Sequence, residues 1–248
     1  MSQATVVLTA SAGAFPGLVD ALHAIPVAVE DVPLLRFAPP LDWTPVDDAA
    51  RHLDRYGAIA FTSPRSAGAF ADRMRTLDQT MPRETTVWVA GSGTAQALGE
   101  GLAAVQQPDG RAVDERGAAA ALADALIRSG IDGPVLFPCG DIRRDELPAR
   151  LRDEGLMVDE VVCYRSVLAG ETEARDAAER AQVVIVASPS VADLLARACP
   201  PGVRPALVAV GPTTAAAARA VGWPPARVAA RPTSEALAAA VRAIVATR

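Results

Sequence analysis

Residues 135–167 read VLFPCGDIRRDELPARLRDEGLMVDEVVCYRSV. The run predicts a strand over Val135–Pro138, a polar turn, a helix over about Asp145–Glu154 and a second strand over Val158–Tyr164. Leu147, Leu151 and, across the turn, Leu156 recur at helical spacing. Gly155 stands where a helix ends, a place that favours the one residue able to turn left-handed cheaply. Tyr164 closes the second strand and is one of two tyrosines in the chain. Taken alone, such a residue puts its ring in the core and its hydroxyl in water.

Outward from this stretch the same alternation continues. Val6–Thr9, Val27–Leu35, Ala58–Phe61, Val87–Ala90, Val183–Ala187 and Leu207–Val210 read as short apolar strands. Helices follow to about Ala24 and over Val46–Arg55, Ser66–Thr76, Gly117–Arg128 and Ser234–Ala246, with linker plus helix over Val167–Arg180. FAPPLDWTP (37–45) reads as a Pro-rich extended connection. Continuous apolar strands between helices predict parallel sheet covered on both faces, an α/β class.

The chain also matches itself. AFTSPRSAGAF (60–70) aligns with IVASPSVADLL (185–195), Ser63 on Ser188 and Pro64 on Pro189. WVAGSGTAQAL (88–98) aligns with AVGPTTAAAAR (209–219), Gly91 on Gly211 and Thr94 on Thr214. Ala121–Leu122 aligns with Ala236–Leu237, and Val6–Leu35 aligns more loosely with Val135–Tyr164. Two α/β domains of one type follow. The boundaries fall near Phe37–Pro40 and Val167–Gly170, giving residues 1–36 with 167–248 as one domain and 37–166 as the other. If the strands at Val27–Leu35 and Val158–Tyr164 bridge them, the two chain ends fold together.

Composition narrows the function. The chain has 248 residues, half of them hydrophobic, and a formal net charge of −5, which argues against a non-specific nucleic-acid binder. Three cysteines without ligand spacing, and two histidines far apart in sequence, argue for a reducing compartment and against a metal site. The start, MSQATVVLTA, has neither a basic n-region nor a long apolar run, so no export signal or membrane span is expected. There is no P-loop and no Gly-x-Ser-x-Gly elbow, and GSGTAQ lacks the third glycine of a dinucleotide loop.

What recurs is a Ser/Thr/Gly loop between a strand end and a helix start: Thr62–Ser63, Gly91–Thr94, Ser188–Ser190 and Gly211–Thr214. Ligands of open parallel sheets sit beyond the carboxyl ends of the strands. Free N–H groups, hydroxyls and the positive helix end bind anions there without formal charge. The plain alternative is that each hydroxyl only caps its helix. Arg65, Arg143 and Arg144 add guanidinium groups near two such ends, suited to holding carboxylates.

FTSPRSA, VAGSGTAQAL, the 135–167 stretch, VASPSVADLL and VAVGPTTAAAARAVG, in this order and spacing, resemble the uroporphyrinogen-III synthase family over about Val6–Ile244. The resemblance implies two flavodoxin-like domains, each a parallel sheet flanked by helices, joined by a two-stranded linker. One is built from the chain ends and the other from the middle. It implies an enzyme, a cyclising hydro-lyase of tetrapyrrole and heme biosynthesis. Hydroxymethylbilane loses its terminal hydroxyl, ring D is inverted through a spiro intermediate, and uroporphyrinogen III forms without cofactor or metal.

By motif, Tyr164 matches the cleft tyrosine proposed to help the hydroxyl leave; a phenol is protonated at neutral pH and can donate. Thr62, Ser63, Ser92, Thr94, Ser188, Ser190, Thr213 and Thr214 match cleft-loop positions that would hold acetate and propionate groups. Arg143 and Arg144 match the basic positions after Gly140–Asp141. Two departures stand out. Cys139 and Ala10 occupy positions where the family often carries arginine, which points to an alternative: a non-catalytic tetrapyrrole- or anion-binding or regulatory protein of the same fold. The resemblance further implies a cytoplasmic monomer, with no nucleic-acid or membrane partner, taking its substrate from hydroxymethylbilane synthase.

Overall fold

Two short strands set the architecture of the computed structural model, which describes residues 3–81, 85–99, 105–108 and 117–246: β4 (Ala58–Phe61) and β9 (Val183–Val186). Every residue of both is buried. Side chains alternate across a strand, so each lays apolar groups on both faces of its sheet. Val184 and Val186 join a cluster with Leu194, Leu195 and Ala218, whereas Val183 and Ile185 join one with Leu22, Leu237 and Val241. Likewise Ile59 and Phe61 pack with Phe70 and Met74, and Ala58 and Ala60 with Leu122, Leu126 and Leu151.

The chain divides into two units, Met1–Phe37 with Val167–Arg248, and Ala38–Ser166. In the first, β1 (Ala4–Leu8), β2 (Val27–Asp31), β9, β10 (Ala206–Ala209) and β11 (Arg227–Val228) form a sheet in the order β11-β10-β9-β1-β2, every pair parallel. Relabelled by position, this is the 2-1-3-4-5 order of flavodoxin-type folds. Helices α1 (Leu18–His23) and α10 (Ser234–Val245) supply one of its faces. Helices α7 (Glu171–Arg180), α8 (Pro189–Ala198) and α9 (Pro212–Ala220) supply the other.

In the second unit, β4, β5 (Thr86–Val89), β6 (Val105–Gln106), β7 (Val135–Gly140) and β8 (Val158–Leu168) run β8-β7-β4-β5-β6, again parallel. A further strand, β3 (Leu35–Ala38), lies beside β8. Helices α2 (Thr44–Arg51) and α3 (Pro64–Thr76) cover one face, and α5 (Ala118–Arg128) and α6 (Glu146–Asp153) the other. The internal repeat therefore maps strand on strand: β9 on β4, β10 on β5, β1 on β7 and β2 on β8. The second unit is the same layout circularly permuted, its β7–β8 pair coming last in the chain instead of first.

The Schellman geometry at the end of α6 accounts for Gly155 and Leu156. Gly155 has φ +81°, its N–H donates to Arg152 O (2.9 Å), and the Leu156 N–H donates to Leu151 O (3.0 Å). Several boundaries differ from the sequence reading: β7 runs to Gly140 instead of Pro138, and β8 runs past Tyr164 to Leu168, into the stretch read as linker. Val27–Leu35 is not one strand: Pro33 lacks the N–H a ladder needs, so β2 stops at Asp31, and the chain re-enters a sheet as β3. That strand takes in Phe37 and Ala38, which the sequence pattern assigns to a linker. The helix beginning near Val46 ends at Arg51, and Leu53–Arg55 follow as a 3₁₀ turn.

Phe61 is fully buried, with its ring centroid 5.8 Å from that of Phe70. Phe61→Ala should lower unfolding stability by about 3–5 kcal/mol. Chemical denaturation measures it, and a loss below about 1 kcal/mol would show that this face is loosely packed.

Candidate active site

In flavodoxin-type order the chain changes direction between the first and third strands, and their carboxyl ends leave a crevice. In the second unit these strands are β7 and β4. A cavity of about 340 Å³ opens there, lined by Thr62, Ser63, Cys139, Gly140, Arg143, Arg144 and Tyr164 together with the starts of three helices. Five of the candidate residues thus share one cavity. Arg65 stands at its edge, with its guanidinium carbon 5.9 Å from the centroid of the Tyr164 ring.

The half-buried Tyr164 is placed by its neighbour strand. β7 and β8 pair in register from Val135↔Val158 to Cys139↔Val162, then shift so that Gly140 faces Tyr164. The irregularity re-aims the last side chain of the ladder. The hydroxyl end of the ring lies against Gly140: a Cβ there would fall 2.6 Å from Tyr164 Cζ and 2.7 Å from its hydroxyl oxygen. Glycine is thus required by the approach of the ring and not by its own dihedral angles.

Charge gathers at the rim. Arg143 and Arg152 both pair with Glu160, the latter at 2.8 Å, so two cations share one carboxylate. Burial works against the Arg143 charge, but its hydrogen bond to Glu160 and the nearby anionic groups outweigh this and hold the guanidinium above its ordinary range. Arg144 is largely in solvent, 3.6 Å from Glu146. Cys139 forms part of the wall. Burial, ahead of all other influences, pushes its thiol up to about 11, so it is a neutral surface at physiological pH and not a nucleophile.

The helix starts matter as much as the arginines. α3, α5 and α6 all begin at this cavity, through Ser63 and Ser66, Gly117–Ala119, and Glu146–Leu147. Each brings the positive end of a macrodipole, and α5, which has no side-chain cap, brings its first backbone N–H groups as well; at α3, Pro64 has no N–H and Ser63 takes those of Ser66 and Ala67. The start of α5 is missing from the candidates read from sequence, because Gly117, Ala118 and Ala119 carry no polar side chain. The signal for it is the glycine before an alanine-rich helix, with φ +92° and no side-chain cap.

The hydroxyls divide into caps and others. Ser63 Oγ accepts from the Ser66 N–H (3.1 Å) and exchanges a hydrogen bond with Ser66 Oγ (3.0 Å). Its repeat partner Ser188 accepts from the Val191 N–H (3.2 Å) and bonds Ser190 Oγ (3.1 Å). Both hydroxyls are thus engaged in starting helices. Ser92 and Thr94 lie in the first turn of α4 (Ser92–Leu98), Ser92 exposed and Thr94 buried. In the other unit, Ser188 and Ser190 stand at the start of α8. Thr213 and Thr214 begin α9 and line a separate cavity of about 260 Å³ with Ala229–Pro232.

Paired flavodoxin-type units, one of them permuted, with a crevice at a strand switch, define a two-unit α/β class of protein. A family model described as uroporphyrinogen-III synthase HemD matches residues 17–239, and the chain belongs to that family, whose members are enzymes of heme biosynthesis. The chain is similar in structure to a mutant uroporphyrinogen III synthase from the extremely thermophilic bacterium Thermus thermophilus. The TM-score is 0.64 at 14% identity, over 99% of this chain and 100% of that one. It is also similar to uroporphyrinogen-III synthetase from Helicobacter pylori, with TM-score 0.60 at 17% identity over 100% of each chain. At these identities the likeness speaks for the fold.

Two outcomes test this geometry. Gly140→Ala should displace the Tyr164 ring, the far end of a side chain that can swing, while costing only about 1 kcal/mol of stability. Thermal melts with a crystal structure read both effects, and an unmoved ring would contradict the contact. Ser188→Ala should cost about 1 kcal/mol and Ser188→Gly only a few tenths, the signature of a helix cap. Equal losses in denaturant titrations would deny that role.

Proposed function

We propose that the chain is a uroporphyrinogen-III synthase, a cyclising hydro-lyase that converts hydroxymethylbilane into uroporphyrinogen III with inversion of ring D and release of water. The observation that carries this reading is the cavity of the second unit, where a tyrosine laid on glycine meets three helix starts and a rim of arginines. A volume of about 340 Å³ is at the small end of ligand sites, room for one end of a linear tetrapyrrole and not for all of it.

In this account the reacting end enters beside Tyr164. The pyrrole nitrogen lone pair pushes out the terminal hydroxyl, the carbon–oxygen bond breaks, and the Tyr164 phenol gives its proton to the departing oxygen. Water leaves, and the phenolate is neutralised by the pyrrole N–H proton. The resulting azafulvene is attacked by the ring-D carbon that already bears a methylene bridge, giving the spiro intermediate, whose fragmentation and reclosure invert the ring. Arg65, Arg143, Arg144, Thr62 and the N–H groups at the starts of α5 and α6 hold acetate and propionate groups. Ser63 keeps the α3 start in place. Ser92, Thr94, Ser188, Ser190, Thr213 and Thr214 serve further carboxylates of the same substrate. Holding a flexible chain curled for ring closure supplies much of the rate, because orientation replaces an improbable encounter.

We place the reaction in the cytoplasm, in a monomer fed by hydroxymethylbilane synthase. Among the described residues no helix is long and apolar enough to cross a membrane.

The test is an isomer-resolved assay. With hydroxymethylbilane supplied enzymatically and the products oxidised, the type III porphyrin should dominate over the type I isomer that forms spontaneously. Tyr164→Phe should lower type III formation roughly hundredfold in a folded protein. Type I alone from folded wild-type protein would overturn the reading in favour of a tetrapyrrole- or anion-binding protein.

A further inference from the structure

We propose that Asp141 is a positioning residue for the reaction, acting through Tyr164; this rests on the reading of Tyr164 given above. β7 ends at Gly140, where the ladder with β8 has just shifted register. Beyond that point no regular strand pairing with β7 holds Tyr164 in place, and Asp141 takes over. Its backbone N–H donates to the Tyr164 carbonyl (3.1 Å). Its carboxylate Oδ1 accepts from the Ser166 N–H (2.8 Å), so a side-chain oxygen stands where a strand carbonyl would otherwise be. The same Oδ1 accepts from the N–H of Ile142 (2.9 Å), which holds the carboxylate in that place. One residue therefore grips β8 at Tyr164 and again two residues on. The ring rests against Gly140, and a shift of the strand carries it away from that contact.

Both donors meet a single oxygen, so the geometry uses an acceptor and not a charge. An asparagine amide oxygen can occupy the same point and accept both bonds, whereas alanine offers none. This distinguishes positioning from an electrostatic part in binding carboxylates, where a negative charge would oppose the substrate.

The experiment compares Asp141→Ala, Asp141→Asn, Tyr164→Phe and the Asp141→Ala/Tyr164→Phe double variant in the isomer-resolved assay, with thermal melts to confirm folding and a crystal structure of Asp141→Ala. Asp141→Ala should lower kcat roughly tenfold with KM nearly unchanged, and Asp141→Asn should stay within about twofold of wild type. Asp141→Ala should add no further loss to Tyr164→Phe, because the two residues act as one unit. In the crystal structure the Tyr164 ring should leave Gly140. Equal losses for the alanine and asparagine variants, full additivity with Tyr164→Phe, or an unmoved ring would each overturn the proposal. Unchanged turnover in Tyr164→Phe would remove the tyrosine as proton donor, and the position of the ring in Asp141→Ala would still decide whether Asp141 holds it.

Discussion

A parallel sheet buried on both faces leaves only the ends of its strands to meet a ligand. In this chain the constraint is set by β4 and β9, whose residues are all buried. Backbone polarity inside each sheet is consumed by the ladders, and the side chains by the flanking helices. What remains at the carboxyl ends is a row of turns leading into helices, each presenting a positive dipole end. The cavity at the β7–β4 switch is where three of those helix starts converge.

On the proposed function, this arrangement reconciles an acidic chain with an anionic substrate. The net charge of −5 provides no long-range attraction, so recognition has to be local. Backbone dipoles supply part of it without adding formal charge. Arg143, placed at the rim by its pair with Glu160, is proposed to supply another part. Cys139 contributes shape alone, since its thiol stays protonated near neutral pH.

Much of the fold is legible in the sequence because its signals are local and physical. AIAF and VVIV are unbroken apolar runs between turn residues, and Gly155 marks a helix end, as its left-handed φ shows. The repeat of Ser-Pro and Gly-x-x-Thr starts reveals two related halves. What escapes reading has equally physical causes. β3 hides between Pro33 and Pro39, residues that suggest linker, because an edge strand beside β8 tolerates nearby prolines. The helix start at Gly117–Ala119 hides because backbone groups leave no mark in a side-chain pattern. Ser63 and Ser188 show the opposite problem: a hydroxyl that caps a helix and a hydroxyl that binds a ligand look alike in sequence, and only the bonds to Ser66 and Val191 separate them. Asp141 is visible as half of a Gly-Asp pair, but its grip on Ser166 depends on the register of β8.

The central claim is that the substrate end binds at Tyr164. The chain has two tyrosines, Tyr56 and Tyr164. Tyr56 is buried in the second unit, with its hydroxyl bonded to Asp159 (3.0 Å) and Arg55 (2.8 Å). Tyrosine labelled with ¹³C in the ring therefore gives two reporters, one in the cavity and one in the core, assigned with Tyr164→Phe. On titration with uroporphyrin III, the stable oxidised form of the product, the Tyr164 resonance should shift saturably while that of Tyr56 stays in place. Binding that leaves the Tyr164 resonance unmoved would contradict the account.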